Sequence, residues 1–241
     1  MTADHLLHAT LRMKRPYVIC HMLPAVDGRI VTKHWDISVS AQGEYERIAE
    51  KLKGDAWIIG RVSMEPYAGK ARVPRRASRE PIERTDYIAR RDADSYAIAI
   101  DPSGKLTWQS SSIDDEHVIT ILTEGVSDNY LAFLQEKGVS YLFGGAAKIN
   151  LKKVLEKLYK ESKIRRLLLE GGGKINGSFL AADLIDELSI LVGPIADGSI
   201  GTPALFDAKK GRGPSRNLRL VSVQRVKGDV VWLRYRVQHD R

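Results

Sequence analysis

Cysteine is almost missing from this chain: 241 residues contain one, Cys20. One thiol cannot build a disulfide framework, so a cystine-stapled secreted domain is excluded and a reducing, cytoplasmic setting is expected. Cys20 stands inside an apolar strand pattern and reads as a buried, inert thiol. No apolar run is long enough to cross a membrane, and Met1 to Arg15 lacks the apolar core of a signal peptide. No linker rich in glycine, serine or proline divides the chain, and no internal repeat is present. One domain over 16–241, preceded by a polar arm over 1–15, is the expected organisation. Ser-His-Asp, metal-ligand and paired-carboxylate arrangements are also missing, so no metal is expected.

What the chain does have is positive charge. Lys and Arg number 38 against 30 Asp and Glu, giving +8 and a pI near 9.5. Such a surplus favours anionic partners: nucleic acid, phosphorylated metabolites or a phosphate-bearing cofactor. The cations are spread along the chain except between Arg72 and Arg91, which speaks against a dedicated nucleic-acid face. That segment belongs to a long loop, Gly69 to Arg91, either plain surface or a basic flap over a phosphate.

The most informative stretch runs from Ile164 to Val192. Leu167 to Leu169 read as a buried strand ending at Glu170. Gly171, Gly172 and Gly173 follow, and three consecutive glycines cost backbone entropy, so a turn with close main-chain approach is expected. Asn176 or Ser178 is placed to cap the helix that follows. Strand, glycine turn and helix start together make an anion site, because unpaired amides and the positive helix end converge there. Neither familiar glycine fingerprint fits: Asn176 stands where G-x-G-x-x-G needs its third glycine, and for the P-loop Gly172 and Gly177 are correctly spaced but Ser178 follows Gly177 directly, with no lysine between those two.

Elsewhere strands alternate with helices. Tyr17 to Leu23, Ala56 to Ile59, Tyr96 to Ile100, His117 to Leu122 and Val139 to Phe143 read as strands. Helices are expected after Ser40, with Tyr45, Ile48, Ala49 and Leu52 as the core stripe. Others follow Ser127 or Asp128, and Asn150, where Leu151, Val154, Leu155, Leu158 and Tyr159 share a face. Leu218 to Val226 and Val230 to Val237 flank K-G-D as a hairpin. The fold class is therefore α/β, a mainly parallel twisted sheet flanked by helices and closed by an antiparallel C-terminal hairpin. Ligands of such sheets bind beyond the carboxyl ends of the strands. Glycine recurs there, at Gly28, Gly60, Gly125, Gly144-Gly145 and the triple glycine, and Arg61 or Lys174 can add charge for a pyrophosphate.

The run L-L-L-E-G-G-G-K-I-N-G-S-F-L-A-A-D-L-I-D-E-L-S-I-L-V-G-P-I resembles the C-terminal signature of the bacterial riboflavin-biosynthesis reductase domain, of the dihydrofolate-reductase-like fold. V-D-G-R-I at Val26–Ile30 resembles that family's first-strand S-L-D-G-[KR]-I. D-A-W-I-I-G-R-V-S at Asp55–Ser63 resembles its second-strand A-D-A-[IV]-L-x-G-x-x-T. The resemblance spans Tyr17 to Val237 and implies an NADPH-dependent, homodimeric, cytoplasmic reductase. Hydride would pass to the ribosyl carbon of a phosphoribosylamino-pyrimidine, as in 5-amino-6-(5-phosphoribosylamino)uracil reductase. It implies cofactor contacts from Pro24, Trp35, Gly60, Arg61, Ser63 and the run Gly171, Gly172, Gly173, Lys174, Ile175, Asn176, Gly177 and Ser178. The substrate side would carry Lys33, Lys51, Glu65 and Glu170, with Glu170, His21 and Asp27 as the catalytic candidates.

Departures bear on the substrate. Many members have lysine where this chain has His21, and V-L-x-D-D-P where it has M-E-P-Y at Met64–Tyr67, leaving Glu65 as the replacement acid. The zinc deaminase motifs H-x-E and P-C-x-x-C do not occur. Two alternatives stand beside the main reading: a same-fold reductase of a pterin, folate-like or other carbonyl compound, and a basic nucleic-acid-binding protein with a retired site.

Overall fold

The computed structural model describes residues 14–70, 73–74, 80–207 and 215–239. The expected N-terminal arm up to residue 13, and residues 71–72 and 75–79 of the arginine-rich loop, therefore lie outside the described residues. The chain divides into two compact units: Asp55–Arg165 together with the segment before Tyr17, and Tyr17–Gly54 together with Arg166–Arg241.

In the first unit, β2 (Ala56–Gly60), β3 (Tyr96–Ile100), β5 (Glu116–Thr123) and β6 (Ser140–Gly145) are parallel, in the order β6-β5-β3-β2. A two-residue strand, β4 (Ser112–Ile113), turns back on the start of β5. The strands are nearly continuous apolar runs, as expected of parallel strands covered on both faces. Helix α2 (Arg61–Ala68) follows β2 directly, α3 (Asp128–Glu136) precedes β6, and α4 (Leu151–Glu161) follows it. Helix α4 forms as its pattern dictates. Asn150 accepts the Lys153 amide at 3.1 Å, and Val154, Leu155 and Leu158 are fully buried. Each buried aliphatic contributes about 1.5–3 kcal/mol relative to exposure. Trp108, Phe133, Tyr141, Phe143 and Met64 fill the core.

The second unit orders its strands β7-β1-β8-β10-β9. β7 (Arg166–Leu169), β1 (Tyr17–Met22) and β8 (Glu187–Val192) are parallel, and β10 (Val231–Val237) and β9 (Leu218–Arg225) are the antiparallel pair. The expected α/β architecture and terminal hairpin are both present. Helix α1 (Val39–Leu52) is capped by Ser38, which accepts the Ala41 amide at 3.2 Å, rather than by Ser40. Its buried face adds Ala41 and Glu44 to Ile48 and Leu52. Glu44 is tolerated there because Arg47 grips both its oxygens, at 3.1 and 2.6 Å, and holds its carboxyl below the usual range. The last helix, α5, covers Gly173–Ala181.

Four features were not foreseen: α2, β4, β8 and a short 3-10 turn at Thr32–His34. Pro66 lies inside α2. It hides the helix from a periodicity reading, because proline removes one helical donor and usually ends a helix. The long-loop expectation also changes. Residues 80–91 are pinned to the first unit: Tyr87 and Tyr141 exchange backbone bonds of 2.9 and 2.8 Å, and Arg84 bonds Asp128 and the Val126 carbonyl.

Candidate functional site

The turn after β7 lies wholly in the second unit. Glu170 follows the strand, half-buried, and its charge, after burial itself, pushes the Cys20 thiol upward. Gly171 has φ +113°, and a Cβ added there would press on Met22 at 3.3 Å. Such a backbone favours glycine. Gly172 is the N-cap, with φ −63° and ψ 179°, a conformation open to any residue, so positive φ belongs to Gly171. No side chain caps α5 and no acidic residue stands in its first turn. The Ile175 and Asn176 amides already donate to the Gly172 carbonyl, at 2.9 and 3.1 Å, so the amides without an intrahelical acceptor are those of Gly173 and Lys174, at the positive end of the helix. Lys174 is exposed beside them.

The cap expected at Asn176 or Ser178 is not there. The helix begins before both, Ser178 donates to the Lys174 carbonyl at 2.7 Å, and Asn176 is fully buried. Gly173 and Gly177 face another part of the chain. An added Cβ would stand 2.2 Å from the Ala204 carbonyl oxygen at Gly173, and 2.2 Å from that of Asp207 at Gly177. Two of the glycines therefore serve close packing, and the turn proper is Gly171-Gly172. Ile175 is half-buried.

A second group gathers around the β1 turn and the loop after β8. The Pro24 carbonyl accepts the Gly193 amide at 2.8 Å. Asp27 is exposed and accepts the Gly198 amide at 2.7 Å, which holds its carboxyl below the usual range. The Trp35 indole donates to Asp197, whose carboxyl is lowered by Ser199 and by this bond. A cavity of about 390 Å³ opens here, lined by His34, Trp35, Pro194, Ile195, Asp197 and Ser199 among others. Lys33 is exposed nearby in sequence, on the 3-10 turn.

His21, one of the catalytic candidates, is engaged by structural partners. It is fully buried and stacks on Tyr45 with centroids 4.3 Å apart. Its Nε2 donates to the Tyr45 carbonyl at 3.2 Å, so Nδ1 accepts from the Ser189 hydroxyl at 3.0 Å. Ser189 in turn accepts the Trp232 indole N–H at 2.9 Å. The chain of bonds is complete with a neutral ring, and burial lowers its pKa to about 4. Lys51 is taken by Trp232, its ammonium 5.1 Å from the ring centroid.

Gly60, Arg61, Ser63 and Glu65 belong to the first unit. Gly60 is the N-cap of α2, Ser63 is exposed, and Arg61 pairs with Glu65 one turn later. The implied phosphate reader and the implied substrate acid thus hold each other. Sequence reasoning passed over Asp197 and the segment Thr202–Asp207. The signal was available: Gly193-Pro194, Gly198, Gly201 and Pro203 crowd the carboxyl end of β8, where such sheets bind ligands. Among the described residues no group of three or more His, Cys, Asp or Glu could hold a metal, and no helix is long and apolar enough to span a membrane.

A mainly parallel sheet flanked by helices, with a glycine turn at a helix start and an antiparallel C-terminal pair, defines an α/β protein. The chain belongs to the RibD C-terminal domain family, whose model matches residues 16–232. It is 22% identical over 215 residues to the 2,5-diamino-6-ribosylamino-4(3H)-pyrimidinone 5′-phosphate reductase of Archaeoglobus fulgidus, covering 88% of this chain and 94% of that one. The reductase of the same name from Methanothermobacter thermautotrophicus is 24% identical over 200 residues, covering 81% and 85%. Among solved structures, a pyrimidine reductase-like protein from Corynebacterium diphtheriae superposes with a TM-score of 0.67 at 14% identity over 93% of both chains. The riboflavin biosynthesis reductase Rib7 of Saccharomyces cerevisiae gives 0.60 at 18% identity, covering 94% and 92%.

Proposed function

We propose that this protein is an NADPH-dependent reductase of a phosphoribosylamino-pyrimidine, converting its ribosyl group to a ribityl group. The observation that carries the reading is the start of α5, uncapped by any side chain and free of acidic residues in its first turn, directly after Gly171-Gly172. Those leading amides and Lys174 would hold the cofactor pyrophosphate, and Glu170 stands at the same strand end toward the substrate. NADPH would supply the hydride. The chain's own residues bind and orient: Glu170 accepts hydrogen bonds from pyrimidine or sugar donors, and the Trp35–Asp197 cavity offers an aromatic wall with a carboxylate. His21 and Lys51 have structural partners and take no part.

Two substrates fit the class. The archaeal relatives are named for the 2-amino compound, 2,5-diamino-6-ribosylamino-4(3H)-pyrimidinone 5′-phosphate, and match this chain over 88% and 81% of its length. The alternative is the 2-oxo compound, 5-amino-6-(5-phosphoribosylamino)uracil. A homodimer accompanies this reading. β9 is an edge strand whose Leu218, Leu220 and Val223 are 42%, 52% and 55% exposed. They pair with Val237, Tyr235 and Leu233, and Val221 is the extra residue where the register shifts. A bulge of this kind keeps all three on one face. An apolar edge of this sort calls for a cover, and a second copy supplies a self-complementary one.

The test is NADPH oxidation with the 2-amino pyrimidine, the 2-oxo pyrimidine and a dihydropterin. Turnover of either pyrimidine and not the pterin is expected. Oxidation with the pterin alone would transfer the proposal to the folate-like class, and oxidation with none would sink it.

A further inference from the structure

We infer that Asn176 and Gly177 are positioning residues: they seat the segment Thr202–Asp207 on α5, and that segment fixes the β1 turn, Val26–Ile30, in place. The inference rests on the proposed reductase activity for its consequence but not for its geometry.

The seat is built from one face of α5. Gly173, Asn176 and Gly177 fall at i, i+3 and i+4, so they adjoin on the helix surface. All three are buried. With no Cβ at either end of this face, the backbone of the segment lies against the helix: its Ala204 and Asp207 carbonyls occupy the places where side chains would be. The Asp207 amide donates to the Gly173 carbonyl at 3.0 Å, and the Asn176 amide nitrogen donates to the Leu205 carbonyl at 3.0 Å. Asn176 Oδ1 is buried without a hydrogen-bond partner among the described residues. An apolar residue would avoid that cost, so the asparagine is retained for its donor.

The outer edge of the same segment is the partner of the β1 turn. Leu205 donates to the Gly28 carbonyl at 3.0 Å, and Ile30 donates to the Pro203 carbonyl at 3.2 Å. These two bonds flank a bridge between Arg29 and Ala204, and the Arg29 guanidinium adds a 2.6 Å bond to the Thr202 carbonyl. The turn so held carries Asp27, and Asp27 in turn anchors Gly198 in the loop that bears Asp197, the partner of Trp35. One ribbon of backbone therefore joins the helix that starts at the glycine turn to the loops around the Trp35 cavity. The place where G-x-G-x-x-G would have a third glycine is used to grip this ribbon rather than to face a phosphate.

The consequence is a split between the two ligands. Loosening the segment leaves the leading amides of α5 in place but releases the β1 turn, so substrate should suffer and cofactor should not. Three variants test this: Gly177→Ala drives a Cβ into the Asp207 carbonyl, Asn176→Ala removes the grip, and Arg29→Ala cuts the outer bond at a half-exposed site. Hydrogen exchange in the ligand-free protein should rise about tenfold at the Ile30 and Leu205 amides in Asn176→Ala, the scale of one lost hydrogen bond, with β8 unchanged. In turnover, KM for the pyrimidine should rise about tenfold while the Kd for NADPH stays within about threefold. Arg29→Ala should raise exchange at Ile30 and leave the Asp207 contact to α5 intact. Unchanged exchange at Ile30 in both Asn176→Ala and Arg29→Ala would overturn the inference, as would proportional losses of substrate and NADPH. The exchange measurement needs no ligand, so a failed reductase assay would refute the activity and leave this result standing.

Discussion

Acid should destabilise this protein through His21, and replacing that residue should remove the effect. The ring is fully buried with both nitrogens engaged, and its pKa falls from 6.5 to about 4 in the folded state. A histidine with a lowered folded pKa stabilises above its unfolded pKa, and that stability is lost as pH falls toward the folded one. Between those values the unfolded chain takes up a proton that the native one refuses, so stability rises with pH at about 1.4 kcal/mol per unit. From about pH 8 to about pH 5 the loss is therefore about 2 kcal/mol, the span from 6.5 down to 5 multiplied by that slope. His21→Phe keeps the stack on Tyr45, leaves Ser189 its Trp232 donor, and cannot titrate. Urea unfolding at both pH values should show the variant less stable than wild type near pH 8, with the gap closing by about 2 kcal/mol near pH 5. His239 works with the opposite sign. Asp186 and Asp183, 3.3 and 3.1 Å away, raise its pKa, so its stabilisation is present at low pH and lost as pH rises through the folded value. His117, lowered by burial, shares the sign of His21. Both residues remain in both proteins and cancel in the difference. A gap that stays constant across the range would refute the argument, because it would mean that His21 gains or loses no proton on folding.

Glu170→Gln keeps volume and removes charge, so kcat/KM should fall about 10- to 100-fold with NADPH affinity unchanged; lost stability with intact turnover would make Glu170 structural. Leu220→Lys together with Val223→Lys should yield a folded monomer by light scattering, and a variant that stays dimeric would move the interface away from β9. Lys174→Glu, at the exposed first turn of α5, should raise the Kd for NADPH about tenfold at low salt and less at high salt; a salt-independent or absent effect would shift the pyrophosphate elsewhere.

Much of the architecture was legible because it rests on local signals. Asn150, Ser127 and the apolar face of α4 all do what their spacing dictates. The hairpin around K-G-D forms with Gly228 at φ +73° and Asp229 at φ 57°. Both lie in the left-handed region that such turns use. What escaped reading is set by distant contacts. Gly173 and Gly177 look like phosphate-loop glycines in sequence, and only the approach of Ala204 and Asp207, from the far side of β8, shows that they are packing glycines. His21 reads first as a hydrogen-bonded core histidine and second as a catalytic group, and its actual partners, Ser189 and Tyr45, are ones no local pattern links to it. Helix α2 escaped for the opposite reason. Pro66 is a local signal, and burial of Met64 and Ala68 overrides it. Tertiary packing commonly outweighs propensity in this way.

The discontinuous second unit has a consequence for synthesis. Its β1 sets Tyr17 opposite Arg166, so more than half of the chain lies between the partners, whereas β2 meets β3 with Ala56 opposite the much nearer Tyr96. Closing the longer loop costs only about 1 kcal/mol more. The burden is time rather than free energy, because β1 leaves the ribosome with no strand to pair with in its own unit. The first unit has all its described strands by Gly145, while β1 must wait for β7 and β8, and β9 waits for β10. During that interval Tyr17–Met22, an apolar strand with both edges open, is a natural client for a chaperone. Chains that end at Arg165 and are released from the ribosome should therefore protect the first unit from protease while β1 is still cleaved; simultaneous protection of both would show that the second unit does not wait for its C-terminal strands.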